Sequence, residues 1–310
     1  MYERREYPEK SWSFSRHKSF LECKRRFYFN TYGHWNGWEY NSSKRSKTIY
    51  RLKKLANIYT LSGQLLHEEI AKAISNKRID IDKSLSRIRH FLNKAVKSSI
   101  DKVDNWKSKP KDYIILHEYY YGNGVSKEKG KELVNRMSIS LNNFLKSHTW
   151  KLVKKNEIDI VEFEKKGFPH FMLRDYKIYS ILDLFYKLND KYFIVDWKSG
   201  KIQSEQNKRQ MGVYALYVLN KYPSVKVDKL MGYNEYLSAA VKESFEFSLE
   251  DLVNLKEEIT SSMEKMDNFL VDKDKNIPRD EKEYPAETGF HCKYCNYIEL
   301  CDKGKEYLSS

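Results

Sequence analysis

The spacing of apolar positions changes near residue 150. Before it, hydrophobic residues recur every three or four positions, as on one side of a helix. Leu52, Leu55, Ile58, Leu65, Leu66, Ile70 and Ile74 fall on one stripe and predict a long helix over 48–77. A shorter amphipathic helix is predicted over 13–31, capped by Ser13 or Ser15, with Phe20, Phe27 and Phe29 read as core. Residues 33–47 read as a loop. Further helices are predicted over 83–106, ending before Pro110, and over 126–147, beyond a Gly122/Gly124 loop. After 150 the period shortens. Strands are predicted over 150–164 and 168–176, around Gly167-Phe168-Pro169, and a hairpin over 178–188 and 191–198. A helix over 204–221 follows, then strands over 227–236 and 240–247. A helix over 249–271 is opened by Ser248-x-x-Asp251. A polar stretch with Pro278 and Pro285 leads into the cysteines. The expected organisation is a mainly helical part, 1–149, followed by a mixed part, 150–310, in one compact unit.

Composition narrows the function classes. The chain has 310 residues, 40% of them hydrophobic, so it can bury a core and is not wholesale disordered. No apolar run approaches the roughly 18–20 residues of a membrane span, and a membrane is not expected as a partner. MYERREYPEK has no apolar leader segment, so a cytoplasmic location is expected. Lys and Arg number 57 against 43 Asp and Glu, a net charge of +14. That balance suits an anionic partner, nucleic acid before a membrane surface, although a lysine-rich composition produces it too.

Three of the four cysteines, Cys292, Cys295 and Cys301, form C-x2-C-x5-C; Cys23 stands far upstream. In a reducing compartment a disulfide framework is not expected. Four thiolates complete the ligand set of a tetrahedral zinc or of an iron–sulfur cluster, and the residues alone leave both open beside free buried thiols. His291 could replace one thiolate at zinc.

The richest segment is 178–200. A two-residue link, Asn189-Asp190, joins the strands, so paired positions sum to 379 and Asp183 faces Asp196. Lys198, two residues on, shares their face. Two carboxylates and an ammonium among Ile181, Leu182, Leu184, Phe185, Phe193, Ile194 and Val195 are costly without a role. Facing carboxylates repel unless a cation separates them, and Mg²⁺ or Mn²⁺ suits oxygen ligands. An adjacent lysine can orient water and offset phosphate charge, as metal-assisted phosphodiester hydrolysis requires. His67, in GQLLHEEI, could add a nitrogen ligand. Gln210 and Tyr214 share a helix face after the lysine strand.

In order, these pieces resemble the PD-(D/E)XK nuclease superfamily, and within it the RecB-like branch with an iron–sulfur cluster, which includes the AddB nuclease domain and CRISPR-associated adaptation exonucleases. Ser13-Phe14-Ser15 through Cys23 to Tyr28 resembles the branch's S-x-S…C-P-x-x-F/Y segment, with Lys24 at the usual proline. Gly63-x3-His67 resembles the G-x3-H helix of a metal-ligand histidine. Leu182-Asp183 resembles the strand of the first acidic ligand, with Ser180 where a glycine is usual. Asp196-Trp197-Lys198-Ser199-Gly200 resembles D/E-x-K, Gln210-x3-Tyr214 the Q-x3-Y helix, and the three late cysteines the cluster triplet, with Cys23 as fourth ligand. Residues 80–148 match no family piece and are read as a helical insertion.

The resemblance implies an α/β fold: a mixed central sheet flanked by helices, with the chain ends tied by a structural [4Fe–4S] cluster, zinc being the alternative. It implies a DNA nuclease, an exonuclease favouring single-stranded ends, in repair, recombination or CRISPR and defence processing. Asp183, Asp196 and His67 would hold the ion, Lys198 would position the attacking water, and Gln210 and Tyr214 would hold substrate. Arg25 and Arg26 would contact phosphate, and Trp197 would stack on a base or pack in the core. No G-x4-G-K-[ST] pattern is present, so unwinding is left to a helicase or other repair or CRISPR partner. The rival reading is a non-catalytic or partner-activated DNA-binding subunit.

Overall fold

The computed structural model describes residues 5–122, 124–163, 167–200, 202 and 204–310. The end of the strand expected to reach 164, and Asn123 in the Gly122/Gly124 loop, lie outside them.

The N-terminal part is helical, but its helices are shorter than the apolar periodicity suggests. After β1 (Ser11–Trp12), the predicted 13–31 helix divides into α1 (Phe14–Glu22), capped by Ser13, and α2 (Lys24–Tyr28), followed by a π-helical turn at Phe29–Gly33. Cys23 is extended between them, and its sulfur accepts the Arg26 amide at 3.4 Å, so it caps α2 instead of continuing α1. The 48–77 helix divides into α3 (Lys44–Leu52) and α4 (Ile58–Asn76). Between them Ala56 leaves the helix to exchange backbone hydrogen bonds with Ile115 and His117, and Asn57 then caps α4. The 83–106 helix is α5 (Ile81–Asp101) and α6 (Val103–Ser108), broken at Lys102. A short α7 (His117–Tyr120) precedes α8 (Lys127–Lys146). The largest correction is α9 (His148–Lys155), a helix where a strand was expected. Ser147 caps it by accepting the Trp150 amide, and Asn156 ends it in the left-handed conformation.

The β elements follow: β2 (Asp159–Phe163), β3 (His170–Leu173), β4 (Tyr176–Tyr179), β5 (Leu184–Leu188), β6 (Lys191–Lys198), α10 (Ser204–Lys221), β7 (Leu230–Tyr236), β8 (Val241–Glu246), α11 (Leu249–Asp267), β9 (Leu270–Asp272), β10 (Ile277–Pro278) and α12 (Asp302–Ser309). Among the described residues the main sheet runs β2-β5-β6-β7-β8, with β6 and β7 parallel and the other pairs antiparallel. A side sheet runs β1-β4-β3. The expected strand 178–188 is split, because the chain passes from the side sheet to the main sheet between Tyr179 and Leu184. The hairpin register holds: Leu184 pairs with Val195 and Leu188 with Lys191. The 249–271 helix stops at Asp267 and yields to β9.

Alternation in β5 and β6 divides the core in two. Leu184, Tyr186, Phe193, Val195 and Trp197 pack with apolar residues of α4, α5, α8 and α9. Phe185 and Ile194 pack with α10 and α11. The chain is therefore α/β, a mixed central sheet flanked by helices. Among the described residues no helix is long and apolar enough to cross a membrane.

Candidate active site

The candidate residues meet where β6 ends, the point at which both helical layers reach the sheet. Asp196 and Lys198 project from β6 toward α10, and Asp196 is 5% exposed. A closed ring of contacts joins them to that helix. Lys198 Nζ lies 2.6 Å from Asp196 Oδ2 and donates to Gln210 Oε1 at 2.8 Å. Gln210 Nε2 donates to the Tyr214 hydroxyl at 2.7 Å, and that hydroxyl donates to Asp196 Oδ1 at 3.3 Å. Spacing of i, i+4 on α10 lets Gln210 and Tyr214 close the ring.

Asp183 stands one residue before the β5 ladder rather than within it. Its Oδ2 accepts the Trp197 amide at 2.8 Å, prolonging the hairpin through a side chain. Its Oδ1 faces His67 Nδ1 at 3.2 Å. His67 comes from α4, on the opposite layer, so the group spans the sheet end. Gly63 permits that approach: a Cβ there would lie 3.2 Å from Ser199 Oγ.

Electrostatics follow from this crowding. Burial, then the Asp183 charge, pushes the Asp196 carboxyl above its usual range against the pull of Lys198. Burial alone would lower the His67 pKa, but Asp183 outweighs it and raises it to about 9. Burial drives Tyr214 well above an ordinary phenol, with Asp196 and Asp183 adding to it.

Among the described residues no three His, Cys, Asp or Glu side chains converge as a ready metal-ligand group. His67 and Asp183 are engaged with each other. The chemistry nonetheless fits a hard divalent ion. The Lys198–Asp196 contact is an ion pair without hydrogen-bond geometry, so buried Asp196 Oδ2 has no hydrogen-bond partner. It stands with a second carboxylate and an imidazole, the donors such ions take.

The cysteines lie elsewhere, near the pairing of α2 with the C-terminal segment. Cys23 and Cys292 are buried; Cys295 and Cys301 are partly so. Burial raises the Cys295 thiol to about 11, and Cys23 and Cys301 are close enough to add to the rise. The four thiols are free, and they do not converge as a ready metal-ligand group among the described residues. His291 is held by the Glu287 carbonyl at 2.9 Å.

A family model described as the PD-(D/E)XK nuclease superfamily matches residues 11–302. The chain belongs to the PD-(D/E)XK nuclease superfamily. Members of this superfamily are in general metal-dependent nucleases that act on DNA, typically with Mg²⁺ or Mn²⁺. A search of the curated proteins finds no match.

Some expected roles change in this PD-(D/E)XK setting. Trp197 is core, 2% exposed, with Nε1 donating to Glu235 at 2.8 Å, so it offers no face to a base. Arg25 is spent on the Tyr284 carbonyl and Glu281, and Arg26 on Glu22. Glu235 was missed: buried on β7, it accepts from Trp197 and from Thr149 at 2.6 Å and so holds the backbone that carries Lys198. Only the parallel register, Trp197 beside Glu235, reveals that.

Proposed function

We propose that the chain is a metal-dependent deoxyribonuclease, an exonuclease acting on single-stranded DNA ends in repair, recombination or CRISPR and defence processing, in the cytoplasm. The ring Asp196–Lys198–Gln210–Tyr214, adjoining Asp183 and His67, carries this reading. A purely binding module has no use for a buried carboxylate, braced by an ammonium, beside a second that is half-buried. Asp183, Asp196 and His67 would hold Mg²⁺ or Mn²⁺, which when bound polarises the phosphate and lowers the pKa of water. Lys198 orients the attacking water and offsets charge on the phosphoryl oxygens. Gln210 keeps the ammonium in place, and Tyr214, held un-ionised, keeps a donor on Asp196; both border the space that substrate would occupy. In the RecB-like reading Cys23, Cys292, Cys295 and Cys301 hold a structural [4Fe–4S] cluster, with zinc as the alternative, and a helicase or other repair or CRISPR protein supplies the strand. The two sequence halves act as one unit, since one hydrophobic core contains both α4–α9 residues and the β5–β6 hairpin.

The test is digestion of end-labelled single-stranded DNA by anaerobically purified protein with Mn²⁺ or Mg²⁺. Cleavage is expected, and Lys198→Ala should lower it about 10²–10³-fold. Absence of cleavage by wild type with its metal content verified would move the assignment to a partner-activated or non-catalytic subunit.

A further inference from the structure

A cavity of about 860 Å³ opens beside Gln210 and Tyr214 and runs under α1 and the segment before β3. Its lining includes Ser13, Ser15, Arg16, Trp35, Phe168 and Tyr179. We propose that this cavity seats the unpaired strand on its way to the active site, with Arg16 taking a backbone phosphate and Phe168 with Tyr179 stacking on a base. The proposal rests on the nuclease reading above and names the form of its substrate.

Arg16 is the first observation. Its NH1 donates to the Ser11 carbonyl at 2.6 Å and to the Ser11 hydroxyl. No acceptor for its Nε or NH2, and no carboxylate within ion-pair distance, exists among the described residues. Other partly buried cations nearby are matched: Lys10 with Asp175 and Asp267, Arg25 with Glu281, Lys24 with Glu287. Glu9, the acid on the rim, is already held by Arg5 and by Lys177. The phenols of Tyr32, Tyr176 and Tyr179 lie near enough to act on the Arg16 charge, which also reaches His34 and Lys53. Burial lowers the Arg16 pKa, and burial again, with the Arg16 charge, lowers Lys53 to about 7. A partly buried guanidinium with open donors and no carboxylate beside it is suited to an anion, and its planar fork matches phosphate. The Ser13 and Ser15 hydroxyls, 3.2 Å apart, line the same wall.

The aromatic side is independent of it. Phe168 is 76% exposed and meets Tyr179 edge-on at 5.9 Å. Ile181, between Tyr179 and the Asp183 carboxylate in sequence, is 53% exposed. Apolar faces left in water beside a phosphate-binding cation are the makings of a single-strand site. A duplex keeps its base faces stacked inside and can give these rings none.

Binding of a labelled oligodeoxythymidylate to the full chain, with Ca²⁺ in place of Mg²⁺ and across a salt series, tests this. Phe168→Ala should weaken single-strand binding about tenfold and leave duplex binding unchanged. Arg16→Gln should weaken single-strand binding about tenfold and reduce the slope of log K against log salt by about 0.7. Wild-type affinity in both variants, with wild-type melting, would overturn the proposal. Equal losses on duplex would overturn the single-strand assignment. Should Arg16→Gln melt early, Phe168→Ala decides, since its ring is largely exposed and its edge contact is with Tyr179 of the same subsite. Wild type that binds through these residues yet never cleaves sinks the nuclease reading and keeps the subsite; cleavage unaltered by either change does the reverse.

Discussion

Asp196 is buried beside a second carboxylate and remains tolerable because Lys198 and Tyr214 bracket its two oxygens. Asp196, Lys198 and the Gln210/Tyr214 pair were readable from the chain because each relation is local: two residues apart on a strand, four apart on a helix. Glu235 and Arg16 were not. Glu235 matters through a parallel register set by the crossover helix α10, and Arg16 is one cation among 57, distinguished by a missing partner that no local pattern marks. A residue outside the site gives a pH prediction. Burial works to raise the Glu69 pKa, but hydrogen bonds from Arg87 and Lys72 prevail and lower it to about 2. The folded pKa lies below the unfolded one, so the stability it confers is present above about pH 4.5 and is lost as pH falls toward 2. Thermal melts of wild type and Glu69→Gln should differ clearly at pH 6 and converge only as the pH approaches 2.

At the scale of elements, α4 must approach the end of the β5–β6 hairpin closely for His67 to reach Asp183. Gly63 lies one turn before His67 and against Ser199, the residue after Lys198. Gly63→Val, whose branched side chain must push the Ser199 hydroxyl aside, should cut cleavage about tenfold. The melting temperature should stay within a few degrees, because the helix gains what the contact loses; a matched fall in both would show a global rather than a local effect. The helical and β halves were legible from periodicity, and so was the hairpin, whose two-residue link fixes its register. Element ends were not. Cys23 and Ala56 interrupt continuous apolar stripes because a sulfur cap and a backbone bridge outcompete the next helical turn. In α9, Trp150 and Val153 favour strands by type, yet the Ser147 cap and the Asn156 stop enclose them in two helical turns.

Across the whole molecule, the C-terminal segment is fastened to α2 by backbone, carboxylate and aromatic contacts. Arg25 N donates to the Pro285 carbonyl, Lys24 N to Glu287, and Tyr284 packs against Phe27, Tyr28 and Phe269. With the proposed cluster in place, Cys23→Ala should abolish bound iron and visible absorption and lower the melting temperature, while these contacts keep the far-ultraviolet dichroism of the fold at room temperature. Wild type carrying zinc and no iron would identify the zinc alternative instead.

The same fastening has a consequence for synthesis. The Asn276 amide donates to the Pro8 carbonyl 268 positions earlier, and the Trp12 indole to Ser262, 250 positions away. Every residue proposed for catalysis leaves the ribosome before those partners exist. The early strand can pair with β4 beforehand, but its Trp12 indole and the Pro8 carbonyl must wait for the last part of the message to be translated. A nascent chain stalled before Ser262 would hold Asp183, Asp196 and Lys198 with no finished wall beside them, so the order of translation itself delays the appearance of a competent site.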